Sequence, residues 1–124
     1  MPMKIHESAE NYLEAILVLK QERGVVRSID ISRHMNFTKP SVSRAVGILR
    51  DGGYISIDAK GFIALTDVGL ELAKKIYERH TVLTKVLISL GVDENTASED
   101  ACRIEHVISD DTFSAIKKYC ENLD

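Results

Sequence analysis

Residues 51–66 read DGGYISIDAKGFIALT. Asp51-Gly52-Gly53 stops whatever precedes it. Ile55 and Ile57 alternate on one arm, Ile63 and Leu65 on the other, and Asp58-Ala59-Lys60-Gly61 supplies turn chemistry between them, which predicts a β-hairpin. The sequence on both sides reads as helix, so the fold is set by which helices flank this ribbon.

Upstream, residues 8–22 carry Tyr12, Leu13, Ile16, Leu17 and Lys20 at helical spacing, with Ser8 as N-cap and Gly24 ending the run. The first turns of this helix also hold Glu10, Asn11 and Glu14. Ser28 caps a short second helix through Met35, with Ile29, Ile31 and Met35 inward, and Asn36-Phe37 makes a tight turn. Thr38 then caps a third helix, where Pro40 is tolerated because the first-turn N–H groups have no intrahelical partner. Val42, Ala45, Val46 and Leu49 form its apolar stripe, and Pro40, Ser43, Arg44 and Gly47 its opposite side.

Helix, helix-turn-helix, hairpin is the order of a winged-helix DNA-binding domain. Downstream, Thr66 caps a long helix carrying Val68, Leu72, Ala73, Ile76, His80, Leu83, Val86, Leu87 and Leu90 up to the breaker Gly91. Asp93 and Ser109 cap two further helices, roughly 94–107 and 110–121. The expected fold is mainly α: a winged helix-turn-helix with a two-stranded β-wing over residues 1–66, then an all-α dimerisation domain over 67–124. No Pro, Gly or Ser linker separates the halves, and there are no internal repeats.

The 124 residues are 44% hydrophobic, enough to fill the core of one ordinary domain or two small halves. No apolar run reaches the roughly 18 residues of a membrane span, and MPMKIHESAE lacks the apolar core of a secretory signal. A cytoplasmic protein with no membrane partner is expected. Cys102 and Cys120 are too few for a disulfide framework. The net charge of -3 conceals an uneven layout: residues 31–50 carry Arg33, Lys39, Arg44 and Arg50 without an acid, while residues 93–124 carry nine acids. The basic segment suits a polyanion at close range; two solvated faces of opposite sign are the alternative.

In a helix-turn-helix the second helix presents its N-terminal residues to base edges while flanking groups hold phosphates. Thr38, Lys39, Pro40, Ser41, Ser43 and Arg44 occupy that end. Hydroxyls suit phosphates or bases, Arg suits guanine or phosphate, and an apolar ring suits a thymine methyl. Lys60 at the hairpin tip suits the adjoining backbone. Winged helices also serve as protein-docking modules, in which these side chains are simply solvated. For double-stranded operator DNA a single module binds weakly, so a homodimer is expected, built from the apolar helices beyond Thr66.

The run ACRIEHVISDD offers S, O and N donors from Cys102, Glu105 and His106, which share one face if the stretch is helical. That donor mixture suits a divalent transition metal. His80 on the long helix, and Glu14 or Asn11 on the first, are candidate completions. An isolated C-x-x-E-H also reads as a buried packing cysteine beside a solvated Glu-His edge, and spacing alone leaves both readings open.

ACRIEHVISDD, with NYLEAILVL near the start, KPSVSRAVGIL in the third helix and LTDVGLELAKKIYERH after the hairpin, resembles the diphtheria-toxin-repressor family of iron- and manganese-dependent transcriptional repressors. The resemblance runs across nearly the whole chain. It implies a winged-helix domain, a helical dimerisation domain, metal binding where the two meet, and the short form without an SH3-like third domain. It matches Cys102, Glu105 and His106 to the iron-type metal site, His80 to a ligand of both branches, and Glu14 to a first-helix carboxylate of the manganese branch. Asn11 stands where the iron branch has Met and the manganese branch Asp. Cys102 stands where the manganese branch has a bridging Glu, and Thr84 and Ser98 replace Glu and His of the iron branch's second site. His6 and His34 match no ligand position.

The expected function is therefore a metal-activated, DNA-binding transcriptional regulator, a repressor sensing Mn(II) or Fe(II) and controlling metal-homeostasis genes. The alternative is a metal-independent winged-helix transcription factor responding through its thiols. An enzyme is not expected: H-E-x-x-H, a Gly-rich phosphate loop and a nucleophile elbow are all missing.

Overall fold

The computed structural model describes residues 7–123, so His6 lies outside the described residues. The order is α1 (Glu7–Arg23), α2 (Ser28–Met35), α3 (Lys39–Asp51), β1 (Ile55–Ile57), β2 (Ile63–Leu65), α4 (Asp67–Ser89), α5 (Glu94–Ile104) and α6 (Asp110–Glu121). This is the expected mainly α chain with a two-stranded antiparallel ribbon. It divides into two compact units between Lys74 and Lys75, inside α4.

In the first unit α1 packs against α2, α3 and β2. Leu13, Ile16, Leu19, Val26, Ile31 and Val42 are almost wholly shielded from water. Each such aliphatic side chain contributes about 1.5–3 kcal/mol relative to exposure. The apolar stripe of α3 behaves as its spacing predicts: Val42, Val46 and Leu49 are buried and Ala45 half-buried. The hairpin register pairs Ile55 with Leu65 and Ile57 with Ile63. Ile63 N–H also donates to the Val26 carbonyl at 2.7 Å, so the segment before α2 is tied to the ribbon's edge.

The caps partly differ from expectation. Ser8 stands inside α1, which starts at Glu7, and what precedes it lies outside the described residues. Ser28 is the first residue of α2 rather than its cap. Arg27 holds that position, and its N–H donates to the Asp30 carboxylate at 2.9 Å, a bond that satisfies one donor by reaching back from the third helical residue. Thr38 caps α3 as expected, and Thr66 caps α4 by accepting from Gly69 N–H at 3.2 Å. Gly69 has a steric role: a Cβ there would lie 1.9 Å from the Tyr54 carbonyl oxygen, so only glycine lets α4 leave the hairpin this closely.

In the second unit Asp93 and Ser109 cap α5 and α6 as predicted, accepting from Thr96 N–H and Thr112 N–H respectively. Ala97, Ala101, Ile76, Leu83, Phe113 and Cys120 are buried. α4 ends at Ser89, leaving Leu90 exposed, and Val68 near its start is exposed too. α5 ends at Ile104 and not at 107, which changes the setting of two candidate ligands.

Candidate functional site

Every residue expected to read DNA is exposed: Thr38, Lys39, Pro40, Ser41, Ser43 and Arg44 at the start of α3, and Lys60 at the hairpin tip. The helix that presents them is rooted by its buried stripe, so the presenting face is rigid while its side chains are free to meet a ligand. Thr38 Oγ1 donates to Ser41 Oγ at 2.9 Å, which orients both hydroxyls. The hairpin tip is ordered by Asp58, whose carboxylate accepts from Lys60 N–H and Phe62 N–H, both at 2.9 Å. Arg27 lies over the Phe62 ring at 4.5 Å, a cation–π contact at the base of the wing that helical and strand periodicity gave no sign of. Burial raises the Tyr12 phenol above its ordinary value beneath this face.

In the second unit, Cys102 sits in the last turn of α5, while Glu105 is its C-cap and His106 follows in the turn beyond. The expectation that one helix carries all three is corrected. Their alignment survives because the turn keeps helical geometry: Glu105 has φ -57 and ψ -24, and its N–H donates to the Ala101 carbonyl at 2.9 Å. Val107 N–H then reaches Ile104 at 3.0 Å, a tighter bond spanning three residues that closes the helix. One donor atom each from Cys102, Glu105 and His106 lies within 4.8 Å of the others.

Glu105 is 0% exposed. Its Oε2 is 3.0 Å from His80 Nδ1, brought in from α4, and its Oε1 is 3.3 Å from His106 Nε2. The second contact is an approach without hydrogen-bond geometry, so Oε1 has no hydrogen bond among the described residues. A buried carboxylate oxygen in that state costs free energy unless a positive group faces it. The structure thus gathers Cys102, Glu105, His106 and His80; Ser98 Oγ stands 3.4 Å from His80 Nε2. Glu14 and Asn11 belong to α1 in the other unit.

The donors fit a divalent transition metal. Two ligands on one ion at about 2.0–2.3 Å are separated by at most about 4.6 Å, close to the separations here. Thiolate, carboxylate and imidazole together suit Fe(II), Mn(II), Co(II) or Zn(II) better than a hard oxygen-only ion such as Ca(II). Sequence reasoning missed Arg79, which is 5% exposed. Its signal was available: Ile76, Arg79 and Leu83 share one helical stripe of α4, so a guanidinium interrupts an apolar row.

Comparison with known proteins agrees with both halves. Residues 4–61 match the family model described as iron dependent repressor, N-terminal DNA binding domain, and residues 66–124 match iron dependent repressor, metal binding and dimerisation domain. An otherwise uncharacterized HTH-type transcriptional regulator of Methanocaldococcus jannaschii is 34% identical over 119 residues, covering 94% of this chain and 95% of the relative. Transcriptional regulator MntR of Escherichia coli is 30% identical over 115 residues, covering 93% of this chain and 74% of the relative. The solved structure of the manganese regulator SloR superposes with a TM-score of 0.82 at 25% identity, covering 96% of this chain and 55% of SloR. The chain thus spans about half the length of that solved relative. These relatives are transcriptional regulators, not enzymes, and no described helix is long and apolar enough to cross a membrane. With both of its halves matched in order and a relative this similar along nearly its full length, the chain belongs to the iron-dependent repressor family, the diphtheria-toxin-repressor family of metal-dependent transcriptional regulators.

Proposed function

We propose that this chain is a metal-activated transcriptional repressor of the cytoplasm, working as a homodimer on double-stranded operator DNA and controlling metal-homeostasis genes in response to Mn(II) or Fe(II). The observation that carries this reading is the buried Glu105 carboxylate set between the imidazoles of His80 and His106, with the Cys102 thiol beside them. We assign these four as ligands, and the family resemblance adds Glu14 and Asn11 of α1. Residues 1–66 are assigned to reading DNA and 67–124 to dimerisation and metal binding.

The bound ion supplies positive charge and a fixed coordination geometry. Cys102 would hold the ion as a thiolate, the form in which a cysteine ligates. Glu105 brings the negative charge, and His80 ties α4 to the turn after α5. Ligation that favours the DNA-competent arrangement of the dimer shifts the population toward it. In that arrangement the two α3 helices must match successive major grooves, about 34 Å apart. Thr38, Lys39, Ser41, Ser43, Arg44 and Lys60 are assigned to phosphates and base edges, and Pro40 to an apolar contact in the groove.

The test is selection of a duplex from a random pool, then titration of its binding with Mn(II), Fe(II), Co(II) and Zn(II) against a chelator control. Binding that requires one of the ions, and is lost in Cys102→Ala and His106→Ala while both remain folded dimers, is the expected result. Binding indifferent to chelator would instead identify a metal-independent regulator.

A further inference from the structure

The turn that carries Glu105 and His106 lies past the end of α5, where helix carbonyls have no partner from their own helix. A side chain from α4 supplies it. Arg79 Nη1 donates to the Glu105 carbonyl at 3.1 Å and to the Ile108 carbonyl at 2.9 Å, while Nη2 donates to the Asp110 carboxylate at 2.5 Å. Its guanidinium carbon stands 5.3 Å from the centre of the Phe113 ring on α6. Asp110, in the first turn of α6, is also held by Lys75 at 3.0 Å.

Arg79 and His80 are neighbours on α4 and both grip Glu105, one by its backbone carbonyl and the other by its carboxylate. The backbone that places the carboxylate is therefore fixed from the same helix as the imidazole facing it. We infer that Arg79 is a positioning residue of the donor cluster: its buried fork sets the turn bearing Glu105 and His106, and through it the fit of the cluster to a divalent cation. The inference rests on the metal-site reading above.

The chemistry requires arginine. A planar fork with fixed donors reaches two carbonyls and a carboxylate at once, whereas an ammonium is a point charge on a flexible stem. Removing the fork would also strand the buried Glu105 carbonyl and the half-buried Ile108 carbonyl. Groups that orient metal ligands without touching the metal typically carry about 10–100-fold in affinity.

The probe is Co(II) alone, titrated into the full chain and followed by the thiolate-to-cobalt charge-transfer absorption, with helix content checked by circular dichroism. For Arg79→Lys and Arg79→Met, affinity is expected to fall about 10–100-fold with an altered absorption band and unchanged helix content. Asp110→Asn, which removes only the outermost partner, is expected to fall between wild type and Arg79→Lys, and it carries the test should the Arg79 variants not fold. Wild-type affinity and spectrum in every folded variant, even with a lowered Tm, overturn the inference and leave Arg79 a packing role. A wild-type protein that shows no charge-transfer band overturns the metal-site reading itself, a distinct result.

Discussion

His80 Nδ1 stands 3.0 Å from Oε2 of Glu105, a pairing of residues 25 apart in sequence. Glu105 is wholly buried, and a carboxylate is stable there only when cationic or proton-donating groups surround it. The imidazole of His80 meets Oε2 here, while Oε1 has no hydrogen bond among the described residues and faces His106 at 3.3 Å; both imidazoles are metal ligand types. The same geometry sets the Glu105 carboxylate between His80 and His106, with Cys102 close by.

Glu105→Gln therefore keeps a hydrogen-bonding group beside His80 while removing the charge. Mn(II) affinity, read by calorimetry without DNA, should fall by more than the roughly 10–100-fold that a non-ligating neighbour carries. Affinity equal to wild type would place the ion elsewhere.

Arg44 is exposed on α3, in the unit that does not contain Cys102, Glu105 and His106. Arg44→Ala is expected to cost about 1–3 kcal/mol in operator binding if it contacts a base, with metal affinity unchanged in the absence of DNA. Gel shift and calorimetry side by side give the answer. Parallel losses in both would contradict the division of labour between the units.

Gly69 faces the carbonyl of Tyr54 so closely that any Cβ overlaps it, and that same carbonyl accepts from Thr66 N–H at 3.0 Å. Gly69→Ala must displace either the hairpin or the start of α4. We expect a loss of about 1–3 kcal/mol or more in urea unfolding. A midpoint within error of wild type would show that the junction yields easily.

Asp110 is held below its ordinary value of 3.8, first by the hydrogen bond from Lys75 and also by Arg79. A depressed carboxylate contributes stability that is present above the unfolded-state value and lost as pH falls through the folded one. Asp110→Asn should therefore lower the urea midpoint near neutral pH, and the gap from wild type should close as the pH drops below 3.8. A gap that stays constant across that range would mean the carboxylate's charge is not what matters.

Much of this architecture was legible in the chain. Alternation at Ile55, Ile57, Ile63 and Leu65 marked the ribbon, the stripe of Val42, Val46 and Leu49 oriented α3, and Thr38, Thr66, Asp93 and Ser109 announced four helix starts. The spacing of Cys102, Glu105 and His106 named a donor set whose members do lie together. Arg27 in place of Ser28 as a cap was not legible, because that cap rests on a backbone N–H answered by Asp30 and not on the cap's own side chain.

Periodicity, capping and turn chemistry act over a few residues, so the order of elements and the donor types followed from sequence alone. The end of α5 at Ile104, the closure of His80 onto Glu105 and the fork of Arg79 across Glu105, Ile108 and Asp110 were decided by tertiary structure. The reason is that carbonyls shielded from water and a buried carboxylate must find partners wherever the fold brings them, and those partners stood some 25 to 29 residues away.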